Sequence, residues 1–198
     1  MPTDQVAAAV GCGSDQAKPL ADRLIADGLA EAASAGCRLT GEGKLKALAA
    51  LAADRDQLGA DRAAALLAAF RPLDQRMKDT VTAWQLRPAG AETVFNDHSD
   101  PGYDAHVLDN LSGLHEDTLA WMAPLTAAFG RFGRYQARLD LALARARDGN
   151  QRYVCSPRVD SYHSIWFELH EDLIRLAGHQ RSDELDADQT LSLQSGKQ

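Results

Sequence analysis

The tetrapeptide LHED occurs twice, at residues 114–117 and 169–172, and sets a histidine beside carboxylates each time. Imidazole with carboxylate is a donor set for Zn, Fe or Mn, and helical bundles build such sites from facing helices. The candidate ligands are His115, Glu116, His163, His170 and His98. Their spacing argues against a metal: there is no HExxH and no ExxH pair, and Asp160 to His163 is the nearest carboxylate–histidine step of three. No metal and no cofactor are expected. Two other readings fit the same residues. One is a core hydrogen-bond network in which His115 or His170 meets a carboxylate or a tyrosine, because a buried histidine needs a partner. The other is an effector pocket formed by His115, Tyr162, His163, Trp166 and His170, walled by Trp84, Trp121 and Phe167. Ser161 stands beside Tyr162 and two before His163, but nothing marks an activated base or an oxyanion setting, so no catalytic nucleophile is assigned.

A second chemistry lies in residues 131–158, where seven arginines face only Asp140 and Asp148. Arg131, Arg134, Arg138 and Arg145 advance by three, four and seven and so share a helix face. Such a fan could hold a phosphate or a carboxylate ligand bidentately. The stronger expectation is that these arginines pair with the acidic groups of neighbouring helices, among them Asp109, Glu116, Glu168 and Asp172. The stretch NDHSDPGYDAH (96–106) is also dense in polar groups, and turn and helix-cap chemistry accounts for most of it.

These groups need elements to position them. The 198 residues are 45% hydrophobic and 25% charged with a net charge of -7, rich in alanine and leucine, so a mainly α protein is expected. Three scattered cysteines (Cys12, Cys37, Cys155) give no disulfide framework, and no run approaches the roughly 20 apolar residues of a membrane helix. A cytoplasmic protein without membrane association is the expectation. Helices are predicted over 3–10 and 14–28, the second on a stripe of Ala17, Leu20, Leu24 and Ile25 that begins close to Pro19 and ends at Gly28. Short strands follow at 29–33 and 37–39, with 34–36 as their turn. Thr40 caps a further helix. Residues 61–86 read as two helices meeting at Pro72, 88–103 as a polar connector, and 104–123, 124–147 and 160–178 as helices divided at Pro124 and near Gly149. The organisation expected is a first domain over 1–58, a helical, bundle-like domain over 59–181, and a frayed acidic tail over 182–198.

The pieces TDQVAAAVG, SDQAKPLADRLIADGLA and CRLTGEGK resemble the winged helix-turn-helix domains of bacterial regulators of the broad MarR or PadR type. The resemblance covers about the first 58 residues. It implies a supporting helix, a recognition helix over 14–28 and a β-hairpin wing, with Gln16, Lys18, Arg23, Arg38, Lys44 and Lys46 as DNA-binding candidates. The helix that usually precedes the supporting helix is missing, so the expectation is that another segment or a partner fills that side, or that the start of the chain is short. Residues 1–58 carry eight acids and six bases, a weak start for phosphate binding. Dimerisation would double a weak basic face. The chain as a whole also looks like small proteins found beside phosphoenolpyruvate-utilising, dikinase-type enzymes. The function expected is a transcriptional regulator with weak DNA binding, tuned by a small effector. The alternatives are a protein-interaction or accessory subunit of a larger enzyme, and a small enzyme or metal-binding bundle.

Overall fold

The computed structural model describes residues 6–7, 10–11, 14–34 and 36–179. The helix expected from Thr3 lies largely, and the acidic tail over 182–198 entirely, outside the described residues. The chain is mainly helical with two small antiparallel hairpins.

The first described helix, α1, spans Ser14–Ala26. It closes at Gly28, whose φ of 71° lets the Gly28 amide reach the Ile25 carbonyl (3.0 Å) and the Leu29 amide reach that of Leu24 (2.9 Å). Its inward face is narrower than the apolar stripe suggested. Ala17 and Ala21 are buried, whereas Leu20 and Leu24 are 42% and 38% exposed. Pro19 sits within the helix rather than at its start. Strands β1 (Ala30–Ala33) and β2 (Gly36–Leu39) pair antiparallel from Ala30↔Leu39 to Ala33↔Gly36, as the sequence predicts.

Helix α2 (Gly41–Leu58) starts against the base of this hairpin. The Thr40 hydroxyl donates to the Gly28 carbonyl (2.7 Å) and accepts from the Gly43 amide (3.1 Å), while the Thr40 amide donates to the Leu29 carbonyl (3.0 Å). One threonine therefore ties the end of α1, the hairpin and the start of α2. Gly43 is buried in the same joint, and a Cβ there would overlap the Leu29 carbonyl oxygen. Gly43→Ala is accordingly expected to destabilise the protein by about 1–3 kcal/mol through overpacking. Gly41→Ala, which meets open space, should lose nothing, and urea midpoints of the two variants check the contrast.

Gly59 (φ 89°) turns the chain into α3 (Ala60–Gln85), one continuous helix through Pro72 where two were expected. Proline removes one helical bond and crowds the preceding turn. The buried face of Phe70, Leu73 and Met77 on either side of it outweighs that cost. Strands β3 (Leu86–Ala89) and β4 (Glu92–Phe95) then form a hairpin about Gly90 (φ 67°), in the stretch read from sequence as a connector. Helix α4 (Pro101–Ala128) begins at an Asp100 cap that accepts from the Gly102 and Tyr103 amides, both at 3.0 Å. It runs through Pro124, where a break was expected. The break falls instead at Phe129, followed by a 3-10 turn over Gly130–Phe132. Helices α5 (Gly133–Arg147), α6 (Arg152–Cys155) and α7 (Tyr162–Leu176) complete the described chain.

Helices α3, α4, α5 and α7 enclose the core, with α3 against α4 and α7, and α5 against α4 and α7. Phe70, Leu111, Leu114, Leu139, Trp166 and Leu169 are its centre. Helix α2 packs on α3 and α7, so the N-terminal hairpin unit is seated on the bundle. Among the described residues no helix is long and apolar enough to cross a membrane.

Candidate functional site

One face of α7 carries Tyr162, Trp166, Leu169 and Leu173, all buried. Where this face meets α4, His115 Nδ1 lies 3.2 Å from the Tyr162 hydroxyl and Nε2 lies 2.9 Å from Asp140 Oδ1. Where it meets α3, Trp166 Nε1 donates to Asp74 Oδ1 (2.9 Å). His170 Nδ1 is 3.4 Å from the same oxygen, and Lys78 Nζ is 2.9 Å from Oδ2. Burial works against the Asp74 charge, but hydrogen bonds from His170, Trp166 and Lys78 hold its carboxyl well below the usual range. Burial pushes the Tyr162 hydroxyl well above its ordinary value. Phe70 stacks on Trp166 at 5.0 Å and tilts against Trp121 and His170, each at 5.1 Å.

Of the residues proposed as an effector pocket, His115, Tyr162, Trp166 and His170 lie within filled core. Tyr162 and Trp166 are 0% and 2% exposed, and their rings lie 6.2 Å apart. His163 stands on the exposed side of α7. Trp84 packs elsewhere, 4.6 Å from the His98 ring. His98 takes φ 58° and is held by Asp104 Oδ2 (2.9 Å), with Asn96 donating to Asp104 Oδ1 (2.9 Å) and to the Trp84 carbonyl (3.1 Å). This set ties the second hairpin to the start of α4. Among the described residues no three His, Cys, Asp or Glu side chains gather as a metal would require.

The arginines do not present one open face. Arg138 is buried and chelated, with Nε and Nη2 on Asp160 (2.9 and 2.6 Å) and Nη1 on Glu168 (2.7 Å). Arg131 precedes α5 and bridges Asp54 of α2 (3.0 Å) to Asp172 of α7, lying 4.3 Å over the Phe132 ring. Arg145 donates to the Tyr153 hydroxyl and covers that ring at 4.8 Å. The Arg134 side chain packs against Gly11. Pairing with the chain's own carboxylates, the second of the two expectations, describes Arg131 and Arg138.

The DNA-binding candidates divide similarly. Lys18 is paired with Asp22 (2.9 Å) and Arg38 with Glu31 (2.7 Å). Gln16, Arg23, Lys44 and Lys46 are exposed. The outward side of α1 that carries Gln16 and Arg23 also carries Leu20 and Leu24, whereas Lys44 and Lys46 lie on α2.

A groove of about 750 Å³ lies elsewhere, between α2 and the end of α7. Leu39, Leu48, Leu51 and Ile174 form its floor and sides, and Lys44, Arg55, Arg175 and Glu171 supply charge. Leu48 is 57% exposed and the adjacent Leu45 69%. Of these residues Lys44 is a DNA-binding candidate and Glu171 belongs to the second LHED, and none of the others is a site candidate from the sequence. The available signal was the leucine step of three along α2 (Leu45, Leu48, Leu51), which gives the helix more apolar surface than one packed face can cover. No protein-family model, no characterised protein and no solved structure matches this chain.

Proposed function

We propose that the protein is a docking module, an accessory subunit that holds a partner protein in the groove between α2 and α7. The carrying observation is that groove, an apolar trough edged by cations and walled by leucines left open to solvent. Leucines exposed together along one helix mark interaction sites more often than isolated ones do. The outward side of α1 points the same way, because Leu20 and Leu24 occupy ground that a DNA-reading helix gives to polar groups. The partner segment fitting this trough carries leucines flanked by carboxylates.

Selection from a random-peptide library on the full chain tests the reading. The expected outcome is a consensus of spaced leucines with acidic flanks, whose binding falls at least about tenfold on Leu48→Asp, the loss of one buried anchor. A selection without consensus, or one indifferent to Leu48→Asp, refutes it.

A winged-helix regulator is the second reading. It is favoured by the helix, hairpin, helix order over 14–58 and by Arg23, Lys44 and Lys46, which have no ion-pair partner among the described residues. On that reading, duplex DNA binds in about 50 mM salt and the salt slope falls by about one unit for each lysine removed. Binding of that kind, lost on Lys44→Ala and Lys46→Ala, would displace the docking reading.

A further inference from the structure

The groove has an occupant available in the chain itself. Its α7 wall ends at Gly178 (φ 81°), where an added Cβ would press on the end of the Arg55 side chain, and His179 closes the lining. The sequence continues for nineteen residues from that edge, and DELDADQTLSL at 183–193 places four carboxylates ahead of Leu191 and Leu193. The lining carries three cations (Lys44, Arg55, Arg175) against one carboxylate (Glu171), in a chain whose net charge is -7. A net positive trough stands out in so acidic a protein, and it matches an acidic segment.

The distances close as well. From Arg55 back to Lys44 the helix covers about 17 Å at about 1.5 Å per residue. Residues 180–183 reach about 13 Å and residues 183–193 about 35 Å when extended, at about 3.3 Å each. That reach would let carboxylates beyond His179 meet Arg55 and Arg175 first, and is long enough to return Leu191 and Leu193 onto Leu48 and Leu51.

Resting on the reading of the groove as a docking surface, we propose that residues 183–193 of this chain dock in it, as a built-in competitor that a partner must displace. The acidic run binds the cations at the groove edge, and the two leucines cover the open leucines of α2. Occupancy then depends on salt and on the tail's charge, since exposed ion pairs are screened within about 8 Å at physiological ionic strength.

Disulfide trapping in the full chain tests this without any partner. In a background of Cys12→Ser, Cys37→Ser and Cys155→Ser, Leu48→Cys is combined with Leu191→Cys. A control combines Leu141→Cys, an exposed position on α5, with Leu191→Cys. The single-chain bond is expected to form at least about tenfold faster in the first pair than in the control, because docking raises the effective concentration. It should slow several-fold when Asp183→Asn, Glu184→Gln, Asp186→Asn and Asp188→Asn are added. As a second measurement without new cysteines, those four tail substitutions alone should speed hydrogen exchange over residues 44–55. A bond forming between chains with concentration dependence would make the occupant a second copy and overturn the proposal. Equal rates in the two pairs together with unchanged exchange would also overturn it. Either failure leaves the docking reading standing, because that reading is judged by peptide selection against Leu48→Asp.

Discussion

Trp166→Ala is expected to cost about 3–5 kcal/mol, the range for deleting a buried tryptophan. Trp166 is 2% exposed and stacks between Phe70 at 5.0 Å and Tyr162 at 6.2 Å. Its truncation opens a cavity where α3, α4 and α7 meet. The loss also takes a donor from Asp74, a buried carboxylate whose charge depends on its hydrogen bonds. Against a total stability of about 5–15 kcal/mol, the variant should populate unfolded chain or aggregate. His170→Ala should be milder, about 1–3 kcal/mol, because Asp74 keeps Trp166 and Lys78. Trp166→Phe keeps one ring against Phe70 but loses the Nε1 donor and part of the buried indole volume, so its loss should fall between the other two. Urea denaturation followed by far-UV circular dichroism gives the order. A Trp166→Ala midpoint equal to that of the unaltered chain would contradict this account of the core.

The punctuation of the N-terminal unit was legible in the sequence because it is local. Gly28, Thr40 and the two short apolar runs each act within a few residues, and the helix, hairpin and helix cap follow from them. The α1 face was misread for a reason of size. Alanines at 17 and 21 allow close approach and are buried, while the larger Leu20 and Leu24 face outward. Both prolines misled in the other direction. Pro72 and Pro124 are local helix breakers, but each lies next to buried residues whose packing is set by distant helices. The second hairpin escaped notice because Pro88 and a polar composition hid four-residue strands closed by Gly90.

The candidate sites divide along the same line. That His115, Tyr162, Trp166 and His170 belong together follows from helical spacing and from how apolar α7 is. That they form a filled core rather than a pocket depends on Asp74, a residue 92 positions from Trp166 in sequence. Nothing in the local pattern marks Asp74 except a lone carboxylate among Phe70, Leu73 and Met77. The groove is likewise a product of α2 meeting α7, and neither helix alone predicts it.

Acidification should expose the role of Asp74 directly. Its carboxyl is held well below the ordinary range in the folded protein, where hydrogen bonds from His170, Trp166 and Lys78 overcome the opposing effect of burial. As pH falls through about 4, the unfolded chain takes up a proton at this site while the folded chain does not. Asp74 therefore contributes stability that is fully present above about pH 4 and is lost as pH falls further towards its depressed folded value. Asp172 runs the other way. Burial raises its carboxyl despite Arg131 and the Tyr135 hydroxyl, so its contribution is present below about pH 4 and fades as pH rises through its folded value. Asp74→Asn keeps the shape and a carbonyl acceptor for Trp166 but removes the charge. At neutral pH it should cost about 1.5–3 kcal/mol, the range for a hydrogen bond to a charged group. Its loss of stability between about pH 5 and pH 3 should be shallower than that of the unaltered protein, so that the two curves converge in acid. Asp172→Asn should steepen the same limb. Stability measured by urea denaturation at a series of pH values reads all three curves, and an Asp74→Asn slope equal to that of the unaltered chain would show that this carboxylate does not set the acid response.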